Sequence, residues 1–100
     1  KRSTLENVVC KIYDMILNDK NIFKIRQFVI NSEDKFYNDY LILCSELFDK
    51  FADTKEMEFD SRIGKILLIL AETQYRISTV QINKEIQFIA GILKIIEILK

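Results

Sequence analysis

RIGKILLILAETQYRISTVQINKEIQFIAGILKIIEILK, residues 62–100, decides the fold. From Ile66 to Ala71 the chain is apolar without a break, and between Ile86 and Leu99 only Gln87, Lys94 and Glu97 are strongly polar. Helices that are apolar on nearly every side need neighbours around them. The two segments are therefore expected to form an apolar central hairpin in an all-α bundle of about five helices, with the first three helices packed around it. The expected spans are Phe59 to Ile77 for the fourth helix and Val80 to the end for the fifth, which Ser78 and Gln81 open as a capping pair. A chain of 100 residues has few helices to spare, so the fifth can also leave an apolar strip for a partner.

The rest of the chain agrees. Ser3 with Glu6 has the form of a capping box, and Leu5, Val9, Ile12 and Ile16 follow at helical spacing to about Leu17. Asn18 to Asn21 is a turn, after which Ile22 to Ile30 carries Ile25, Phe28 and Val29 on one side and Lys24 and Gln27 on the other. Asn31 or Ser32 is expected to cap a third helix. In it Phe36, Tyr40, Leu43, Leu47 and Phe51 form one row, with Tyr37, Leu41, Cys44 and Phe48 beside it. A break is expected around Asp53, Thr54 and Glu56.

Composition bounds the function. The chain is 49% hydrophobic and 30% charged, enough to bury about 60–65% of its unfolded surface as one domain, residues 1–100, read as a piece of a longer protein. Fifteen basic residues balance fifteen acidic ones, which argues against nucleic-acid wrapping by net charge. The acidic excess is concentrated in residues 32–60. Two cysteines, Cys10 and Cys44, lack the pairing of a disulfide framework or a zinc site and read as free thiols of an intracellular, cytoplasmic, reducing compartment. No run is long and apolar enough to span a membrane.

Catalytic chemistry is poorly supplied. Without histidine, neither cysteine has the usual base, so no enzyme and no cofactor are expected. Glu46, Asp49, Asp53 and Glu56 fall on one helical face as an acidic patch. A magnesium site would need a second acidic motif on a facing helix, and none is found; a solvated or partner-facing surface is the better reading, with no metal. Lys20, Lys24, Arg26, Gln27 and Asn31 could serve a DNA-reading helix, but Phe23, Ile25 and Phe28 leave little of that segment free.

Three pieces of sequence together resemble the Bcl family of apoptosis regulators, in a divergent and viral-like form. LENVVCKIYDMI, with Leu5, Val9, Ile12, Ile16 and Asp14, resembles the family's third homology motif. ELFD at Glu46 to Asp49 and RIGKILLIL at Arg62 to Leu70 resemble the two halves of its first, with Ile63 in place of the usual Trp and Lys65 in place of Arg. The resemblance implies a groove that receives an amphipathic helix from a pro-death partner. Its lining would be Leu43, Leu47, Gly64, Lys65 and Leu68, with Gly64 admitting the ligand backbone and Lys65 meeting the ligand's Asp. A protein interaction module is thus expected, with an oligomerisation subunit using the last helix, or a nucleic-acid-associated helical subunit, as alternatives.

Overall fold

The computed structural model describes residues 4–53, 55 and 60–100. Ser3, Thr54, Glu56 and Phe59, on which parts of the expected helix boundaries rest, lie outside the described residues. Five α-helices make an all-α bundle: α1 (Thr4–Asn18), α2 (Ile22–Asn31), α3 (Tyr40–Asp53), α4 (Ile63–Thr79) and α5 (Lys84–Leu99).

The first turn falls where expected. The N–H groups of Asp19 and Lys20 both close on the Met15 carbonyl, at 3.0 and 2.9 Å, with Lys20 in the left-handed region at φ 53°. That is the geometry of a helix end normally given to glycine. Asn21 then caps α2, its Oδ1 accepting the N–H groups of Phe23 and Lys24.

The third helix begins later than its aromatic row suggested. Ser32 ends α2 instead of opening α3, and a 3-10 turn, Glu33–Lys35, follows. Tyr37 and Asn38 are left-handed, and Asp39 supplies the cap by accepting the Ile42 N–H at 3.0 Å. The row itself survives the interruption: Phe36, Tyr40, Leu43, Leu47 and Phe51 are all buried, and Phe36 meets the Tyr40 ring edge-on at 5.1 Å. Tyr37 breaks from its expected row, because the turn throws its ring into solvent at 88% exposure.

The α4–α5 boundary also moves. Ser78 lies in the last turn of α4, its hydroxyl donating to the Tyr75 carbonyl at 2.6 Å, and α5 starts after Asn83 at φ 62°. A Ser followed three residues on by Gln can cap a helix, but serine bonds back to the preceding turn equally well.

The last two helices pair as a hairpin, and α5 occupies the centre, packing against α1, α2, α3 and α4. Phe88, Ile92, Ile95, Ile96 and Leu99 are buried along it. At Gly91 the Thr73 side chain of α4 comes so close that a Cβ would stand 2.3 Å from its Oγ1, so any residue larger than glycine forces that side chain to shift. α4 lies on the flank, principally against α3 and α5, and buries a single row, Ile66, Leu70, Thr73 and Ile77. α2 is clamped to α5 by a two-point ion pair, Arg26 Nε and Nη2 donating to Glu85 at 2.8 and 3.0 Å.

Candidate partner-docking surface

At 100° per residue, Gly64, Leu68, Ala71 and Tyr75 fall within about 60° of one another and opposite the buried row of α4. All four are exposed, Leu68 by 72% and Tyr75 by 70%. A Cβ built on Gly64 would meet nothing within 4 Å, so an incoming backbone can approach closely there. A little over three turns of α4 thus present an uncharged outer stripe. Beside it run Lys65, Glu72 and Arg76, and Glu72 takes Arg76 at 3.5 Å and Lys94 of α5 at 3.4 Å.

Further apolar residues are exposed along the rest of the hairpin. Ile82 in the turn is exposed, and on α5 Ile86, Ala90 and Leu93 repeat at offsets of four and three. Of the nine large apolar side chains exposed among the described residues, five belong to this hairpin: Leu68, Tyr75, Ile82, Ile86 and Leu93. Between α2 and α5, a shallow cavity of about 350 Å³ is lined by Arg26, Glu85, Ile86, Ile89 and Ala90.

The structure splits the five residues assigned to a groove. Gly64, Lys65 and Leu68 are together at the start of α4 and exposed. Leu43 and Leu47 are fully buried in the core, beneath the surface and not on it, because α3 turns that face toward the other helices. A ligand reaches them only if helices part. On α1, Val9, Ile12 and Ile16 are likewise buried, and Asp14 is exposed. Ala71, Tyr75, Ile86 and Leu93 were missed as surface residues. Projecting the sequence onto a helix opposite Ile66, Leu70 and Ile77 would have placed the first two.

Glu46, Asp49 and Asp53 are exposed along α3 and, with Glu6, Val9, Cys10 and Lys50, line a cleft of about 230 Å³ between α1 and α3. Glu56 lies outside the described residues. Among the described residues no group of His, Cys, Asp and Glu is arranged to hold a metal ion. The thiol of Cys44 is buried, donates to the Leu70 carbonyl at 3.3 Å, and is pushed up to about 12 by burial. Cys10 is half-buried at the cleft.

Of the cations offered to nucleic acid, Arg26 is committed to Glu85, and Lys20 Nζ donates to the Leu17 carbonyl. No helix among the described residues is long and apolar enough to cross a membrane. Compared with known proteins, the chain matches no family model, no curated protein and no solved structure at a significant level.

Proposed function

We propose that this chain is a non-catalytic interaction module whose α4–α5 hairpin receives an amphipathic helix from a partner protein, in the manner of the Bcl regulators of cell death. The observation that carries the reading is the outer stripe of α4, where Leu68 and Tyr75 remain exposed on the face opposite the core. Apolar side chains exposed along one helix face favour a partner over solvent, each fully covered one contributing about 1.5–3 kcal/mol. In this reading Gly64 admits the ligand backbone, Leu68 and Tyr75 anchor it, and Lys65 meets a ligand carboxylate as a point charge without the two-pronged fork of Arg. Leu43 and Leu47 support α4 from within the core.

Fluorescence anisotropy against labelled death-motif peptides tests this. Binding at micromolar or tighter, weakened by Leu68→Ala and by Lys65→Glu, is the expected result. These substitutions are exposed and leave the core intact, whereas Leu47→Ala would damage folding as well. No binding by the folded protein to any peptide overturns the reading. The second reading, an oligomerisation subunit, rests on Ile86, Ala90 and Leu93 of α5. It requires a homodimer that Leu93→Glu dissolves, seen by sedimentation.

A further inference from the structure

We propose that Tyr37 is a phosphorylation site for a tyrosine kinase with a basic substrate cleft. Four observations converge on it. Tyr37 is the most exposed large apolar residue described, at 88%, and its hydroxyl makes no hydrogen bond with the described residues. Tyr13 and Tyr40 are buried, and Tyr40 donates to Glu33, so neither phenol is available. Tyr75 is exposed but sits inside α4, where the helical backbone holds it out of the extended form that a kinase cleft takes.

The backbone at Tyr37 favours opening. Tyr37 and Asn38 are consecutive left-handed residues, at φ 55° and 57°, a conformation that an aromatic side chain rarely adopts. Extending the segment relieves the Tyr37 backbone and breaks the turn bonds from Asn38 to Glu33, Asp39 to Phe36 and Tyr40 to Asn38. The Asp39 cap on the Ile42 N–H and the Leu43 bond to the Asp39 carbonyl lie at its edge. Local opening of such a loop costs far less than global unfolding. Phe36 and Tyr40, both buried, anchor it on either side.

Charge supplies the recognition. Glu33 and Asp34 precede Tyr37 and Asp39 follows it, against Lys35 alone, so the segment complements a basic cleft. In the reaction the phenolic oxygen attacks the γ-phosphorus of ATP. The new O–P bond forms as the bond to the β–γ bridging oxygen breaks, ADP leaves, and the phenolic proton passes to the kinase's base. The dianion that results offers an arginine-rich partner a charge-assisted handle at the end of the bundle away from the Gly64–Leu68 end of α4.

The test is an incubation of the whole chain with Mg·ATP and a recombinant tyrosine kinase domain that prefers acidic substrates, read by intact mass and fragment mapping. Parallel arms carry Tyr37→Phe, Tyr75→Phe and a free peptide of residues 31–42. The expected result is one phosphate, on Tyr37, lost in Tyr37→Phe and kept in Tyr75→Phe, at a rate within about tenfold of the peptide's because opening is cheap. Labelling of Tyr75 in its place, or a folded chain left unlabelled while the peptide reacts, overturns the proposal. So does a peptide that does not react at all.

Discussion

α4 and α5 both contain apolar runs, ILLILA in one and FIAGILKIIEIL in the other, but in α4 the run gives way to the polar stretch ETQYRIST, whereas α5 stays apolar from Phe88 to Leu99 apart from Lys94 and Glu97. α5 is surrounded by four helices and buries Phe88, Ile92, Ile95, Ile96 and Leu99, whereas α4 buries one row and turns Leu68 and Tyr75 outward. The helix that stays apolar along its whole length takes the centre, and the one whose apolar run ends halfway lies on the flank, where its outer face is left to solvent.

Truncating the centre of α5 should separate the two helices most strongly. Phe88 is fully buried, its ring 5.8 Å from that of Tyr40. Phe88→Ala is expected to cost about 3–5 kcal/mol, a large share of a small domain's stability, by urea denaturation. Next comes the contact between the helices. Gly91→Ala drives a methyl into Thr73, whose hydroxyl is already held by the Ile69 carbonyl at 2.7 Å. A loss of about 1–3 kcal/mol is expected. Thr73→Ala in the same chain should return part of it, since the clash is with that one side chain.

A smaller effect lies where α4 meets α3, and it is confined to alkaline pH. The Cys44 thiol is shifted from 9.0 to about 12 by burial, so the folded state holds a proton that the unfolded chain gives up first. Its contribution is complete below about pH 9 and is lost as pH rises toward 12. Tyr40, raised above its ordinary value by burial and by its bond to Glu33, acts in the same direction. Melting temperature against pH should therefore fall above pH 9, and Cys44→Ala should flatten part of that slope.

The stripe of α4 should be nearly silent in stability. Leu68→Ala removes a side chain that is 72% exposed and is expected to change unfolding by at most about 0.5 kcal/mol while weakening peptide binding. A core-sized loss would show that Leu68 packs within the bundle.

How much of this was legible follows from the same contrast. Helical periodicity found all five helices and the hairpin, because burial of a repeating face is what it records. The starts of α3 and α5 were misplaced because Ser32 and Ser78 satisfy neighbouring backbone or end a helix as readily as they begin one. The turns actually used rest on left-handed Asn38 and Asn83, which look like any other asparagine in the sequence. In the candidate site, Gly64, Lys65 and Leu68 lie together on the surface, but Leu43 and Leu47 are core. An apolar residue at helical spacing reads the same whether it lines a groove or the interior, and only the neighbouring helices decide.

Gly64→Ala, a small change of opposite sign, makes the sharpest use of the comparison. With open space above Gly64, the new methyl meets nothing, and alanine removes the conformational freedom that glycine keeps in the unfolded chain. Stability should rise, by less than the roughly 1 kcal/mol of a mid-helix site because Gly64 lies in the first turn. If a partner helix rests its backbone on this position, the same methyl lifts it away and affinity falls. A variant that melts higher and binds more weakly sets a docking surface apart from a packing surface, since Gly91→Ala, the equivalent change on α5, should lose stability first. Equal or tighter binding by the stabilised Gly64→Ala protein would move the contact off α4 and onto the apolar row of α5.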